Sequence, residues 1–309
     1  MKILIAGSAG HIGSALIKAL PHFFDNLCLV LIDGTLNQNN ARVLDLPERV
    51  PYSIVDGKIQ DLDLDIIFAE VDVVVHLAAT INFSDAKTAY ENNFSATKLI
   101  AQACLKNNVP LLFPSTASVY QAQNLLVDEQ HTVLHAQSPY VACKIKEEEL
   151  LLTLAKNQRL PVTICRFGTI YGPSVGMNTH TAVSKFCWQA VTRQPITVWE
   201  TALDQKRPYL FLDDAVNAMA WIIKQRLFNG QIYNVVTGNH TVRDVLTVIG
   251  EALQDVQITY VQDVLMNQLS YEVSSQKLQK TGFKFNGPLE KGIRETIFFL
   301  KKRYNHNEA

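Results

Sequence analysis

Tyr140 and Lys144 stand four residues apart in the segment Ser138-Pro-Tyr-Val-Ala-Cys-Lys144, a spacing that puts a phenol and an ammonium one turn apart on the same face of a helix. A lysine charge so placed favours the phenolate and is expected to bring the tyrosine pKa down toward working pH. That is what a tyrosine needs to act as a proton acceptor. A hydroxyl is available upstream. Pro114-Ser-Thr116-Ala-Ser-Val-Tyr120 follows the apolar run Val109-Pro-Leu-Leu-Phe113, so Thr116 is expected at the carboxyl end of a strand, where ligands bind in open α/β sheets.

A Tyr-x-x-x-Lys match alone arises by chance in many chains of this length, and its weight comes from what precedes it. Gly7-Ser-Ala-Gly10-His-Ile-Gly13 lies between the apolar run Lys2-Ile-Leu-Ile-Ala6, suited to a buried parallel strand, and Ser14-Ala-Leu-Ile-Lys-Ala-Leu20, which has helical periodicity stopped by Pro21. Glycines at such a strand-to-helix turn let the backbone approach a pyrophosphate, which free N–H groups at the helix N-terminus then hold. A second apolar run, Leu27-Cys-Leu-Val-Leu-Ile32, ends in Asp33, where a carboxylate would meet an adenosine ribose and repel a 2′-phosphate, favouring NAD over NADP. The bland alternatives are an ordinary tight turn for the glycines and a turn signal for Asp33-Gly34.

These motifs need a sheet to bring them together, and the chain alternates strand and helix through about residue 172, the pattern of a doubly wound parallel α/β sheet of Rossmann type. After Pro173 the character changes. A helix is expected around Ala182–Ala190, an extended piece at Pro195–Trp199 and further helix after residue 240, while Gln231-Ile-Tyr-Asn-Val-Val236 reads as a late strand returning to the main sheet. The expected organisation is a nucleotide-binding domain over 1–172, with 205–238 returning to it. A smaller, discontinuous C-terminal substrate-binding domain would comprise 173–204 and 239–309.

A net charge of −1 over 309 residues gives no electrostatic footprint for nucleic acid or an anionic membrane, and no segment has the apolar length of a membrane span. The apolar stretch after Met1 is too short for a signal peptide and runs straight into the glycine loop. Five cysteines without Cys-x-x-Cys spacing suggest neither a disulfide framework nor a zinc site. The eight histidines lack metal-ligand spacing, so no metal is expected, and the cytoplasm is the expected compartment. His76, inside an apolar strand, reads as a satisfied core residue. The charge runs Glu147-Glu-Glu149 and Lys301-Lys-Arg303 read as solvated helix faces.

Taken in order, these segments resemble the extended short-chain dehydrogenase/reductase family, in its NAD-dependent epimerase/dehydratase branch, over nearly the whole chain. Gly7, Gly10 and Gly13, with His11 and Ile12 between them, look like the family's cofactor loop, and Asp33 like its ribose acid. Val74-Val-His-Leu-Ala-Ala79 resembles the fourth-strand segment that lines the cofactor, which places Leu77, Ala78 and Ala79 against it. Tyr90-Glu-Asn-Asn93-Phe-Ser-Ala-Thr97 resembles the helix that carries a cofactor-side asparagine, here Asn93. Arg166-Phe-Gly-Thr-Ile-Tyr171-Gly-Pro173 resembles the following strand and turn, adding Phe167 on the cofactor side and Thr169 on the substrate side. Lys206-Arg207-Pro-Tyr-Leu-Phe-Leu-Asp213-Asp214 looks like the segment whose arginine contacts a nucleotide-sugar diphosphate, and Lys277 to Gly292 resembles the closing helices.

The resemblance implies NAD as cofactor and a catalytic trio of Thr116, Tyr140 and Lys144. Tyr140 would take the proton of a substrate hydroxyl while hydride passes to the nicotinamide. Lys144 would bind the nicotinamide ribose and hold the tyrosine pKa down, and Thr116 would hydrogen-bond the substrate oxygen. Sugar 4,6-dehydratases of the family carry Asp-Glu directly after the threonine, where this chain has Ala117 and Ser118, so dehydratase chemistry is not expected. The expectation is a nucleotide-sugar epimerase of the UDP-glucose 4-epimerase kind. The alternatives are a dehydrogenase or reductase of another alcohol or ketone, and a non-catalytic dinucleotide-binding protein. A homodimer is implied as well.

Three departures from the family pattern stand out. Gly57-Lys58-Ile59 puts lysine where an acid usually contacts adenine beside Ile59; either Asp56 or Asp61 substitutes, or the contact is lost. Thr169 replaces an asparagine. Val264-Leu-Met-Asn267 lacks an Arg-x-x-Asp pair that usually grips the nucleotide.

Overall fold

Ile3, Leu4, Ile5 and Ala6 are fully buried, as a parallel strand covered by helices on both faces requires. Each such aliphatic side chain contributes about 1.5–3 kcal/mol through burial. The computed structural model describes residues 1–34, 49–81, 86–120, 126–134, 136, 138–262 and 270–307. Its strands are β1 (Lys2–Ala6), β2 (Cys28–Asp33), β3 (Tyr52–Asp56), β4 (Val73–His76), β5 (Leu111–Thr116), β6 (Leu126–Val127), β7 (Val162–Phe167), β8 (Thr169–Tyr171), β9 (Ile196–Trp199), β10 (Arg207–Phe211), β11 (Gln231–Val235), β12 (Gly238–His240), β13 (Ile258–Val261) and β14 (Glu272–Val273). The helices are α1 (His11–Ala19), α2 (Leu64–Ile67), α3 (Ala86–Asn107), α4 (Pro139–Gln158), α5 (Ala182–Val191), α6 (Leu212–Lys224), α7 (Val242–Ala252), α8 (Gln276–Gln279) and α9 (Leu289–Asn307).

Seven strands form one sheet in the order β11-β7-β5-β4-β1-β2-β3, every pairing parallel. This is the expected Rossmann-type α/β fold, and the strand around Gln231 joins the main sheet as anticipated, beside β7. The order reverses between β1 and β4, and such a switch point opens a crevice at the carboxyl ends of the strands. One face of the sheet packs on α1 and α6, with Leu16, Ile17, Met219 and Ile222 fully buried there. The other packs on α3 and α4 through Ile100, Cys104 and Leu151. Leu99, Ala103 and Leu154 belong to this same core.

A separate hydrophobic cluster joins α5, α7 and α9 around Val183, Ile249 and Ile293. Beside it, β10 does not enter the main sheet; it pairs parallel with β8 and antiparallel with β12. The extended piece at Ile196–Trp199 pairs with β13. The Lys301–Arg303 run is exposed on α9, as expected. Among the described residues no helix is long and apolar enough to cross a membrane.

The turn after β1 depends on absent side chains. Gly7 has φ +86°, in the region that side chains rarely adopt, and a Cβ there would lie 2.5 Å from the Ala78 nitrogen. A Cβ on Gly13 would lie 2.2 Å from the Gly7 carbonyl oxygen. Gly13→Ala is therefore expected to push α1 off the loop and to cost about 1–3 kcal/mol, as overpacking does, read as a lower urea midpoint at unchanged slope.

Candidate functional site

The carboxyl ends of β1 to β4 surround a cleft of about 410 Å³ whose walls include Gly7, Gly10, Asp33, Ile59, Leu77, Ala78, Ala79 and Asn93. Gly10 is the residue from which α1 starts. A Cβ there would meet no protein atom closer than 3.4 Å, so its missing side chain leaves room for something the chain does not itself supply. Behind it, the first-turn N–H groups of α1 have no intrahelical acceptor, and the helix dipole favours an anion there. Asp33 accepts a hydrogen bond from the Ala9 nitrogen at 2.9 Å and closes the far wall. A glycine-lined cradle, a helix N-terminus and a carboxylate at the end of the second strand fit an adenine dinucleotide such as NAD.

The other residues expected on the cofactor side are placed less simply. The imidazole Nε2 of His11 is 2.8 Å from the Gly172 carbonyl oxygen, and burial lowers the His11 pKa despite that acceptor; the ring therefore ties α1 to the loop after β8. Ile12 packs against the core cluster between sheet and helices, and Phe167 is buried within it. Asn93 lines the cleft, but its amide is used on the chain, accepting from the Thr80 nitrogen at 2.8 Å and donating to the Thr80 carbonyl at 2.9 Å. It thereby fixes the loop that carries Leu77–Ala79. Lys58 and Gln60 line the cleft beside Ile59, and neither Asp56 nor Asp61 is among its lining residues. Val264–Asn267 lies outside the described residues.

Sequence reasoning missed the strap over the glycine loop. A Cβ on Gly176 would lie 2.4 Å from the Ala9 carbonyl oxygen, and Ser174 donates to the His11 carbonyl at 2.9 Å. A glycine three residues after Pro173 was the available signal.

Tyr140 and Lys144 are positioned by the start of α4. Ser138 caps it, accepting from the Val141 nitrogen at 3.2 Å, and Pro139 occupies the first turn, where its missing N–H costs nothing. Tyr140 packs against the cluster containing Ala117 and Val119, which brings it beside the turn that begins at Thr116. Thr116 itself ends β5 and accepts from the Ser118 nitrogen at 3.1 Å. The Lys144 ammonium lies 4.3 Å from the centre of the Phe113 ring and 6.0 Å from that of Tyr140.

The electrostatics correct one expectation. Burial raises the Tyr140 pKa, the Lys144 charge pulls it back only in part, and Glu147 and Cys143 push it further up. The net direction is up, not down. Burial opposes the Lys144 charge too, but Glu147, Tyr140 and Cys143 together outweigh it and the Lys144 pKa is raised.

The reading of Glu147–Glu149 as a solvated face is also overturned. Only Glu149 is exposed, paired with Lys146 at 2.6 Å. Glu147 and Glu148 are buried. Glu148 receives three hydrogen bonds from Arg166 at 2.6–3.2 Å, and Glu147 meets Lys144 at 3.1 Å. The signal was the helical period, since positions three and four after Lys144 share its face. His76 is buried as expected but only half satisfied. Its Nε2 is 3.1 Å from Thr97 Oγ1, while Nδ1 has no hydrogen-bond partner.

On the far side of Thr116, Thr169 opens β8 opposite Tyr209 on β10, and Arg207 begins β10. The Arg207 guanidinium lies 5.3 Å from the Tyr271 ring centre and donates to Gln205 at 3.1 Å. The Tyr271 hydroxyl in turn reaches the Ala117 carbonyl at 3.4 Å, linking this cation to the turn after Thr116. Tyr271 carries no motif in sequence; only its place in the fold reveals it.

The chain is similar in structure to the UDP-glucuronic acid 4-epimerase of Bacillus cereus, solved with UDP-glucuronic acid and NAD, with a TM-score of 0.88 and 24% identity over 98% of this chain and 100% of that one. In sequence it is 27% identical to an uncharacterised UDP-glucose epimerase of Bacillus subtilis over 76% of each chain. It is 26% identical to a trifunctional UDP-glucose 4,6-dehydratase, epimerase and reductase of Arabidopsis thaliana over 96% of its own length; it spans only 46% of that relative, about half. The family model for NAD-dependent epimerases and dehydratases matches residues 3–236. The chain belongs to the NAD-dependent epimerase/dehydratase family.

Proposed function

We propose that this protein is an NAD-dependent epimerase of a nucleotide sugar, in which one sugar hydroxyl is oxidised to a ketone and reduced again on the opposite face. The observation that carries the reading is the packing of Tyr140, one helical turn before Lys144, against the turn that follows Thr116, which the Tyr271 hydroxyl links to Arg207, in a chain whose first strand-to-helix turn lines a glycine-walled cleft. Gly7, Gly10, Gly13 and the α1 N-terminus would hold the pyrophosphate of NAD, Asp33 its adenosine ribose, and Lys144 the nicotinamide ribose. NAD, when bound in its oxidised form, supplies a hydride acceptor with a positive ring.

The protein's own residues do the rest. Tyr140 takes the hydroxyl proton and later returns it. Thr116 hydrogen-bonds the substrate oxygen in both its alcohol and ketone states, holding it in register with Tyr140. Arg207 anchors the diphosphate, and the sugar beyond that anchor is left able to turn over. Elimination of water would need a further acid and base beside Thr116. Ala117 and Ser118 supply neither, which favours epimerisation over the 4,6-dehydration named for several of the relatives.

The same reading divides the chain into a cofactor-binding part, residues 1–172 with 205–238, and a substrate-binding part, 173–204 with 239–309. It also expects a homodimer. Mass spectrometry of small molecules released on denaturation, followed by incubation with a panel of nucleotide sugars, tests it. Bound NAD with interconversion of sugar epimers and no net NADH is the expected result. Free NADH made only from some other alcohol would reassign the protein as a dehydrogenase.

A further inference from the structure

A carboxylate sits where the paired tyrosine and lysine have no evident need of one. The Lys144 and Glu147 side chains are only 4% and 1% exposed and meet at 3.1 Å. The hydrogen bonds around Glu147 have a single direction. Thr97 Oγ1 donates to Glu147 Oε1. That hydroxyl, having given its proton, accepts from His76 Nε2 at 3.1 Å, so the imidazole carries its proton on Nε2. The other Glu147 oxygen has no hydrogen-bond partner besides what the Lys144 ammonium provides through the ion pair. Three elements thus converge on one anion: β4 through His76, α3 through Thr97 and α4 through Lys144.

We propose that Glu147 is a further positioning residue of the site, whose carboxylate, held from behind by Thr97 and His76, fixes and charge-balances the Lys144 ammonium against Tyr140. This rests on the reading of Lys144 as the residue that meets both cofactor and Tyr140. Among the described residues, the buried ammonium faces the Phe113 ring at 4.3 Å, the Tyr140 ring at 6.0 Å and the Glu147 carboxylate at 3.1 Å, and a ring face does not match a carboxylate at this depth. Removing Glu147 leaves the cation desolvated and unbalanced, which favours the neutral amine.

The groups that face the pair are Tyr140 and Cys143 on α4, Tyr90 and Thr97 on α3 and His76 on β4. None of these supplies a second negative charge at working pH. Burial raises the Cys143 thiol to about 12, burial raises Tyr90, and burial first and the Lys144 charge second lower His76 to about 3.

The test compares wild type with Glu147→Gln, first without any ligand. In the wild type the Lys144 pKa is raised in the fold, so its contribution is fully present below the unfolded value of about 10.4 and is lost only as pH rises through the folded value. In the variant the folded value falls below the unfolded one, and stability recovers as pH climbs between the two. The gap in urea midpoint between the two proteins is therefore expected to narrow from about pH 7 to about pH 10. NAD affinity, measured by calorimetry, should fall by about tenfold per pH unit relative to wild type above the variant's lowered lysine pKa. Glu147→Asp, which keeps the charge, should hold the wild-type profile.

A gap constant with pH would overturn the proposal and leave Glu147 a packing residue. Should Glu147→Gln fail to fold, the double variant Glu147→Gln/Lys144→Met, which removes the stranded charge, is expected to fold; its failure as well would also overturn it. The urea series needs neither cofactor nor sugar. A narrowing gap in a protein that binds no NAD would keep the ion-pair coupling and refute the cofactor reading.

Discussion

Tyr140→Phe should lower epimerase turnover by about 10²–10⁴-fold, the usual worth of a positioned proton donor or acceptor, while NAD affinity changes little. The ring fills its place against Ala117 and Val119 with or without the hydroxyl, so packing is preserved and only the proton-transfer group is lost. Because burial holds the Tyr140 pKa above the ordinary phenol value, the group is a protonated phenol in the ligand-free protein at neutral pH. Wild-type oxidation of a hydroxyl should therefore quicken as pH rises, since the phenolate fraction grows, and the variant's residual rate should lack that slope. Steady-state kinetics on the nucleotide sugar identified in the panel, with calorimetric NAD titration, checks both halves. A variant that turns over normally but binds NAD poorly would remove Tyr140 from the chemistry.

How much of this was legible in the sequence differs from element to element, for physical reasons. The β1 strand, the glycine turn and Asp33 were legible because each is a local requirement. Full burial demands an apolar run, close backbone approach demands glycine, and a strand end places a carboxylate. The placement of Thr116 at a strand end, and of Tyr140 and Lys144 one turn apart on α4, was legible for the same reason, through strand position and helical spacing. The sign of the Tyr140 shift was not legible, because burial and the Glu147 charge depend on what packs over α4.

Glu147 and Glu148 were misread since three adjacent acids resemble a solvated face, and only the buried partners Lys144 and Arg166 reverse that. The pairing of β10 with β8 and β12 was equally hidden. The run Arg207–Phe211 is apolar enough for the main sheet, yet β11 holds the edge beside β7 and β10 pairs with β8 and β12 instead. Tyr271 and Gly176 matter only through long-range contacts with Ala117 and with the Ala9–Gly10 backbone, for which local sequence carries no pattern.

Arg166→Met should destabilise the fold by about 3–5 kcal/mol, the cost of stranding one member of a buried ion pair. Arg166 sits on β7, opposite Ser115 of β5 on one side and Asn234 of β11 on the other. Its guanidinium is shared between two partners. Nε and Nη2 grip both oxygens of Glu148, and Nη1 donates to the Tyr120 hydroxyl at 2.9 Å. That hydroxyl donates onward to Asn234 at 2.8 Å. One cation therefore ties α4, the turn after Thr116 and the edge strand together, gripping α4 at Glu148, four residues after Lys144 on the same helix face. Losing it leaves Glu148 without its charge partner and Tyr120 with one hydrogen bond fewer. The loss should register as a lower urea midpoint, and as a lower turnover in whatever fraction stays folded, because the rotation of α4 that aims Tyr140 is no longer pinned. Replacing both members, Arg166→Met with Glu148→Leu, should recover much of the stability, since an apolar pair of similar volume costs no buried charge. It should recover less of the activity, since helix and turn are then joined by packing alone. Equal recovery of the two would mean that α4 is oriented by its hydrophobic face without help from Arg166.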